Sequence, residues 1–337
     1  MKAYVICKDS TSLDGLKRAD IDKPTPGSGQ VLLKMHAASL NFRDIALVTG
    51  HYPGGSVQHD TIALSDGAGE VVALGDGVSE LAVGDRVTPT FFQGLINGPF
   101  NPAKHGVLGS PLDGVLTEYI TVNQDGVVKI PSHLSYEEAA TLPCAALTAW
   151  NALMESTHMQ PGQSVLALGT GGVSIFALQF ARANGCHVFI TSSSDDKLQR
   201  AKQMGAEGLI NYKTTPDWGQ EVLKLTNGTG VDNVIEVGGV GTLAKSFEAV
   251  GWHGQVSLIG VLAGSEGQYL PHPLMFKYAR MQGIFGGNRD MFENMNKAIE
   301  ANQIKPVIDK VFDFEETPDA FEYQLSGQHF GKIVIRI

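Results

Sequence analysis

The stretch LALGTGGVSIFALQF, residues 166–180, joins an apolar run, a glycine turn and an amphipathic segment. The run before Gly169 is typical of a buried strand, and the apolar residues after the turn recur at the spacing of one helix face. Glycines let the backbone approach a pyrophosphate, which the free N–H groups of a helix N-terminus can bind. We therefore predict a dinucleotide site formed by Gly169, Thr170, Gly171, Gly172 and Val173. The alternative is a tight strand-to-helix turn without a ligand.

Strand and helix patterns alternate after Ser135, which opens a helix with a Ser-x-x-Glu capping signal. Six stretches are strand candidates: SVLALG (164–169), HVFITS (187–192), GLINY (208–212), DNVIEVGG (232–239), QVSLIG (255–260) and MQGIFGG (281–287). Most of them are apolar on successive residues, the pattern of parallel strands that are buried on both faces. Six such strands predict an α/β fold with a doubly wound parallel sheet of the Rossmann type.

The first 125 residues instead hold short β-type runs between glycine turns. Examples are QVLLKMHAASL (30–40), GEVVALGDGV (69–78), GDRVTPTFF (84–92) and GVLTEYITV (114–122). This pattern predicts an antiparallel β-rich domain. Residues 306–337 return to a helix pattern followed by a β run, which could rejoin that domain.

Composition and charge narrow the classes of function. Of the 337 residues, 43% are hydrophobic and 18% are charged, as in an ordinary globular protein. A net charge of -10 without a Lys/Arg-rich run argues against nucleic acid or an anionic membrane as the main partner, so a small-molecule substrate is expected. We expect a cytoplasmic protein, because no secretory signal and no bilayer-spanning apolar stretch is visible. Three widely separated cysteines are expected to be free thiols.

The end of the second strand candidate predicts which dinucleotide binds. Sites for NAD usually place an acid there, about 20 residues after the glycine turn, to accept a hydrogen bond from the ribose 2′-hydroxyl. Here Ser192 and Ser193 end the strand and Lys197 follows, which favours the 2′-phosphate of NADP(H). Asp195 and Asp196 leave NAD(H) as the alternative, should either carboxylate reach the ribose.

Several ordered motifs resemble those of the medium-chain dehydrogenase/reductase superfamily. They are NFRDIALVTGHYP (41–53), GAGEVVALGDGV (67–78), VGDRV (83–87), AATLPCAALTAWNAL (139–153), the glycine turn and GKIVIRI (331–337). The set is most similar to the zinc-independent, quinone-oxidoreductase-like (zeta-crystallin-like) branch. The resemblance implies hydride transfer to or from nicotinamide, a GroES-like catalytic domain of residues 1–125 with 295–337, and a Rossmann domain of residues 126–294. It also implies an active site in the cleft between these domains and a homodimer formed through MQGIFGG.

The positions that match the catalytic zinc ligands of related alcohol dehydrogenases are Asn41, Ser65 and Cys144. Catalytic zinc needs three protein ligands and an open position, and only Cys144 retains a soft donor. We therefore predict no metal site and interpret Cys144 as a packed core thiol.

Without zinc to polarise a carbonyl, hydride addition is easiest to an acceptor that is already electrophilic, such as a quinone, an enone or an enal. Tyr52 matches a tyrosine that related enoyl reductases present to the substrate. A phenol can donate a hydrogen bond or a proton, so Tyr52 is either the donor or an aromatic wall of the pocket. Asn41 and Asp44 resemble a pair beside the nicotinamide, or else they cap a helix of residues 43–49. Arg43 is interpreted as a solvated charge.

Further cofactor contacts follow from the resemblance. Tyr212 and Lys213 match a position near the 2′-phosphate, and backbone at Gly260, Val261, Phe285 and Gly286 would bind the carboxamide. The sequence thus predicts an NADPH-dependent, metal-free reductase of quinones or α,β-unsaturated carbonyls. Two alternatives stay open, a metal-free alcohol dehydrogenase or ketoreductase and a non-catalytic NADPH-binding sensor. The irregular loop 91–114 is expected to set specificity.

Overall fold

A computed structural model describes residues 1–53, 55–264 and 266–337 and divides the chain into two compact units. Unit 1 comprises Met1–Leu147 and Gly286–Ile337, and unit 2 comprises Thr148–Phe285. Among the described residues, none of the helices combines the length and the apolar character that spanning a bilayer requires.

The strands and helices are numbered here in chain order. The strands are β1 (Lys2–Ile6), β2 (Leu16–Asp20), β3 (Gln30–Ser39), β4 (Thr61–Ile62), β5 (Asp66–Leu74), β6 (Arg86–Pro89), β7 (Phe92–Gln93), β8 (Gly106–Val107), β9 (Tyr119–Asn123), β10 (Val127–Lys129), β11 (Ser164–Ala167), β12 (His187–Ser192), β13 (Gly208–Asn211), β14 (Val231–Glu236), β15 (Val250–Leu258), β16 (Arg280–Gly283), β17 (Ile308–Asp313) and β18 (Lys332–Arg336). The α-helices are α1 (Phe42–Val48), α2 (Tyr136–Ala139), α3 (Leu147–Trp150), α4 (Gly172–Ala183), α5 (Asp195–Gln203), α6 (Trp218–Leu225), α7 (Val240–Ala249), α8 (His272–Phe276), α9 (Arg289–Ala301) and α10 (Thr317–Ser326).

Unit 1 is built on a mostly antiparallel sheet in the order β10-β6-β5-β3-β18-β17, with β9 also paired to β3. A smaller sheet has the order β2-β1-β4, and β7 pairs with β8. Strand β18 runs antiparallel to β3, with Val334 opposite Ser39, and its apolar side chains are fully buried. The last residues of the chain therefore rejoin the β-rich unit, as the sequence indicates.

The two units begin and end at other residues than the predicted domains. Strand β10 pairs with β6, so the chain beyond residue 125 stays in unit 1 up to Leu147. Helix α9 belongs there too, because Arg289 forms ion pairs with Glu80 and Asp125, each at 3.4 Å. The return into unit 1 consequently falls at Gly286 rather than at residue 295.

Unit 2 is one parallel sheet in the order β13-β12-β11-β14-β15-β16. Each of its strands coincides with one of the six apolar stretches to within a few residues, and Val165, Leu166 and Val234 are completely buried at its centre. The order reverses between β11 and β14, which is where doubly wound sheets bind their ligands. The predicted doubly wound fold is confirmed.

The predicted helix after Ser135 forms a run of helical turns to residue 156. Ser135 Oγ accepts from Glu138 N–H at 3.1 Å, and the Glu138 carboxylate accepts from Ser135 N–H at 2.8 Å, which confirms the capping signal. Residues Leu142–Ala146 and Asn151–Ser156 have π-helical turns. The first of these contains Pro143, which lacks an N–H, and carries Cys144.

Candidate functional site

The glycine turn of unit 2 leads from β11 into helix α4. Gly169 adopts φ +73°, a left-handed conformation that favours glycine, and its N–H donates to Thr191 Oγ1 at 3.1 Å. Gly171 precedes the first turn of α4, and a Cβ built there would find no atom within 4 Å. The backbone is therefore open to a ligand at the start of a 12-residue helix. Ser174, in the third glycine position, donates to Leu168 O at 2.6 Å and ties the helix to the strand.

The predicted 2′-phosphate residues lie at the carboxyl ends of the neighbouring strands β12 and β13. Tyr212 N–H donates to Ser192 O at 3.0 Å, which joins the two strand ends. Ser192 itself is buried and its Oγ accepts from Ser194 N–H at 3.3 Å, whereas Ser193 is half-buried. Ser194 Oγ accepts from Lys197 N–H at 3.4 Å and thereby caps α5. The turn at residues 192–194, Lys197 and Tyr212 thus lie at the carboxyl edge of the unit 2 sheet.

Asn211, which the sequence reasoning missed, organises this edge. Its Nδ2 donates to Asp195 Oδ1 at 2.7 Å, and its Oδ1 accepts from Lys213 N–H at 3.0 Å. Asp195 is therefore bonded to β13. The only signal for Asn211 is its position opposite Ser192 in the sheet, and strand register cannot be read from one sequence.

A buried carboxylate, Glu236, shapes the turn after β14. Its Oε1 accepts from Gly238 N–H at 2.7 Å, from Gly239 N–H at 3.0 Å and from Thr242 Oγ1 at 2.6 Å, and its Oε2 accepts from Ser246 Oγ. The signal that could have found it is an acid inside the apolar run DNVIEVGG.

Glu236 also anchors the predicted carboxamide segment through its main chain. Its backbone oxygen accepts from Ile259 and Gly260 N–H at 2.8 and 3.2 Å. A Cβ on Gly260 would lie 2.7 Å from Val237 O, so only glycine fits there. Val261 and Phe285 are exposed, and Gly286 adopts φ +58°.

In unit 1, Asn41 and Asp44 cap helix α1. The helix begins at Phe42 and ends at Val48, one residue earlier at each end than predicted. Asp44 Oδ2 accepts from Asn41 N–H at 2.7 Å, so the capping interpretation holds for this carboxylate. Asp44 is fully buried, and this burial raises its pKa to about 6, although the positive charge of Arg43 acts to lower it.

Behind this cap lies a cluster of buried charges. Lys332 of β18 is 3% exposed, and its Nζ donates to Asn41 Oδ1 at 2.7 Å and to Leu40 O. Asp66 is fully buried; its Oδ1 accepts from Ser65 Oγ at 2.7 Å and its Oδ2 from Cys144 N–H at 2.9 Å. Burial raises the pKa of Asp66 and lowers that of Lys332, and in each case the partner's charge is the largest opposing influence.

Lys332 and Asp66 are functional candidates that the sequence reasoning missed. A lysine inside the apolar run GKIVIRI was a usable signal. Asn41 Nδ2 has no hydrogen-bond acceptor within the described part of the chain, although the Asn41 side chain lies close enough to Asp66 to lower the pKa of that carboxyl.

The residues at the zinc-ligand positions do not fit a metal ion. Asn41 Oδ1 is bonded to the Lys332 ammonium, and the Ser65 hydroxyl is bonded to Asp66. Cys144 keeps some exposed surface, yet the dense protein around its thiol, with the Asp66 charge adding to it, raises its pKa to about 12. Residues 1–53, 55–264 and 266–337 hold no cluster of three or more histidine, cysteine, aspartate or glutamate residues that could bind one. Cys144 packs beside a core cluster that includes Phe91 and Phe92.

Tyr52 is half-buried just beyond α1, and its N–H donates to Ala46 O at 3.0 Å. Its ring packs against the core of unit 1, with the Arg43 guanidinium carbon 5.4 Å from the ring centroid. The interpretation of Arg43 as a solvated charge is wrong. It is only 9% exposed, because loop 91–114 folds over it and its Nη1 donates to Leu108 O at 3.1 Å.

Known proteins resemble the whole chain. The family described as "Alcohol dehydrogenase GroES-like domain" matches residues 27–132, which confirms the predicted GroES-like domain, and "Zinc-binding dehydrogenase" matches residues 172–301. A zinc-type alcohol dehydrogenase-like protein of Schizosaccharomyces pombe is 44% identical over 99% of both chains. The quinone oxidoreductase of Homo sapiens is 27% identical over 94% of this chain and 92% of its own. The crystal structure of a putative alcohol dehydrogenase from Sinorhizobium meliloti 1021 has a TM-score of 0.92 at 37% identity and covers 100% of this chain and 99% of its own.

Proposed function

Since the chain belongs to the medium-chain dehydrogenase/reductase superfamily, a family of oxidoreductases, we propose that it reduces quinones or α,β-unsaturated carbonyls with NADPH and without a metal. One observation carries the proposal. Asn41, Ser65 and Cys144, which stand at the zinc-ligand positions, are engaged with Lys332 and Asp66.

An enzyme with this site needs an acceptor that is electrophilic without a Lewis acid, which favours quinones and enones over simple ketones. NADPH supplies the hydride when it is bound. Negative charge then develops on the oxygen or the α-carbon of the acceptor and needs a donor. Tyr52 fills this role in the proposal, with its hydroxyl as hydrogen-bond donor or general acid.

The cofactor would be held by residues of unit 2. The backbone from Gly169 to Val173 would bind the pyrophosphate, because the turn is open at Gly171 and leads into α4. Ser193 and Lys197 would bind the 2′-phosphate. The bond from Asn211 to Asp195 supports this choice, since a carboxylate bonded to β13 is less available to a ribose 2′-hydroxyl.

Fluorescence titration of the purified protein with NADPH and NADH, followed by a panel of quinones, enones, aldehydes and ketones, tests this proposal. We expect NADPH to bind about 10- to 100-fold more tightly than NADH, the range that one charge-assisted phosphate contact gives. We also expect quinones or enones to oxidise NADPH. Equal binding of both cofactors would refute the phosphate site.

A pair of lysine variants makes the cofactor test specific. Lys197→Ala should weaken NADPH binding about tenfold and leave NADH binding unchanged, because it removes a charge that only the 2′-phosphate needs. Lys224→Ala is the control, since Lys224 is an exposed residue of unit 2 that pairs with Glu221 on α6. A similar loss in both variants would indicate a general charge effect.

The alcohol dehydrogenase-like names of the relatives favour a second candidate, a metal-free reductase of simple aldehydes or ketones. The same acceptor panel separates the two, because only this candidate oxidises NADPH with simple ketones. Tight NADPH binding without oxidation by any acceptor would support a binding protein instead.

We also propose that the protein forms a homodimer in the cytoplasm. Strand β16 is an edge of the unit 2 sheet and all four of its residues are exposed. Two aromatic residues near it, Trp252 and Tyr278, are 64% and 73% exposed, and such an edge favours pairing with a second copy. The free cysteines Cys7, Cys144 and Cys186 fit a reducing compartment.

Size-exclusion chromatography with light scattering should give twice the mass of one chain. Met281→Lys places a charge on β16 and should yield monomers, because a charged edge strand resists pairing. Leu325→Lys, on an exposed position of α10, should leave the mass unchanged. A wild-type monomer, or a Met281→Lys dimer, would contradict pairing through this edge.

A further inference from the structure

We propose that Arg43 is a positioning residue that holds the Tyr52 ring and loop 91–114 in one arrangement for reduction. This inference rests on the proposed function, because it takes Tyr52 as the donor. The charge of Arg43 alone does not predict such a role.

Hydrogen bonds fix the guanidinium from the loop side. Arg43 Nη1 donates to Leu108 O at 3.1 Å, and Nη2 donates to Ser110 O at 3.5 Å. The loop comes so close that a Cβ on Gly109 would lie 3.2 Å from Nη1, and Gly109 adopts φ +79°. Arg43 therefore ties α1 to loop 91–114.

Two aromatic rings lie near the same guanidinium. The guanidinium carbon lies 5.4 Å from the centroid of Tyr52 and 5.1 Å from that of Phe91, both within the range of cation–π attraction. Asp44 Oδ1 lies 3.6 Å from Nη1 and balances the charge. A planar, buried guanidinium can satisfy two carbonyls and two rings together, which an ammonium cannot.

Tyr52 depends on this contact for its orientation. Within residues 1–53, 55–264 and 266–337, the Tyr52 hydroxyl forms no hydrogen bond. The main chain two residues before Tyr52 turns at Gly50, which adopts φ +72°. The core of unit 1 packs against part of the ring, and the nearby Arg43 guanidinium adds a contact that favours one ring position. Since a donor displaced by about 1 Å can cost 100-fold in rate, loss of Arg43 should act on kcat through Tyr52.

A double-mutant cycle tests the inference with Arg43→Lys, Tyr52→Phe and the double variant. Arg43→Lys keeps the charge but loses the planar guanidinium that bonds two carbonyls, and we expect it to lower kcat about 10- to 100-fold at saturating NADPH. In the Tyr52→Phe background the same change should lower kcat less than twofold. NADPH affinity should stay unchanged in all three, because the residues proposed to bind the pyrophosphate and the 2′-phosphate lie in unit 2.

The control is Arg86→Lys. Arg86 also lies over a tyrosine, with its guanidinium carbon 4.7 Å from the Tyr136 centroid, and donates to Leu134 O at 2.6 Å. It should keep the wild-type kcat. If Arg43→Lys does not fold, Phe91→Leu removes only the second ring and should show a smaller loss with the same dependence on Tyr52.

The outcomes separate the inference from the function on which it rests. If Tyr52→Phe keeps the wild-type kcat, Tyr52 is not the donor and the proposed role of that residue fails. If Tyr52→Phe is slow but Arg43→Lys lowers kcat equally in both backgrounds, Arg43 does not act through Tyr52 and the inference is overturned.

Discussion

Replacing Tyr52 with phenylalanine is expected to lower kcat for quinone or enone reduction about 100- to 1,000-fold. The change removes only the hydroxyl, while the ring that lies 5.4 Å from the Arg43 guanidinium remains. The acceptor then lacks the donor for the charge that hydride addition creates. Steady-state kinetics at saturating NADPH measure the loss, and fluorescence titration should give an unchanged dissociation constant for NADPH.

Tyr136→Phe is the matched control, because Tyr136 also lies in unit 1 under an arginine and stacks on His36 at 4.3 Å. It should keep the wild-type kcat. A Tyr52→Phe protein with normal kcat and a raised KM would make Tyr52 a wall of the substrate pocket.

Replacing Lys332 with methionine is expected to lower the free energy of unfolding of unit 1 by about 3–5 kcal/mol, the usual result of leaving a buried charge without the opposite charge that compensates it. Lys332 and Asp66 are both buried, and the ammonium also bonds Asn41 and Leu40. The variant leaves the Asp66 carboxylate without a compensating charge. Urea unfolding followed by circular dichroism measures the change as a lower midpoint.

Two further variants test the cause of this loss. Lys332→Met combined with Asp66→Asn should recover most of the stability, because no buried charge is then left unpaired. Lys305→Met is the control, since Lys305 is an exposed lysine that pairs with Glu138 at 3.0 Å; exposed pairs contribute about 0–1 kcal/mol. A double variant no more stable than Lys332→Met would show that packing and hydrogen bonds, rather than charge, account for the effect.

The features that could be predicted from the sequence are those encoded locally. Six apolar runs and a glycine turn gave the parallel sheet, because burial on both faces leaves a continuous apolar pattern. The buried charges could not be predicted in the same way. Lys332 bonds Asn41 from 291 residues away, and Asp66 meets Cys144 across 78 residues.

The sequence around a charged residue does not show which distant residue it contacts. The burial of Arg43 under loop 91–114 could therefore not be predicted. The limits of the two compact units are hard to predict from the sequence for a related reason. Strand β10 joins unit 1 by pairing with β6, and helix α9 joins it through the ion pairs of Arg289. No change in composition along the sequence indicates either contact.

Unit 1 is made of two chain segments separated in the sequence by the whole of unit 2. The order in which the strands are synthesised therefore limits when each unit can fold. The ribosome completes all six strands of unit 2 before it makes β17 and β18. Unit 2 is thus available to fold first, as a continuous segment. Until β18 emerges, the edge of β3 that it covers is unpaired, and the Asp66 carboxylate lacks the opposing charge of Lys332. The sheet of unit 1 is therefore completed only when β18 is made.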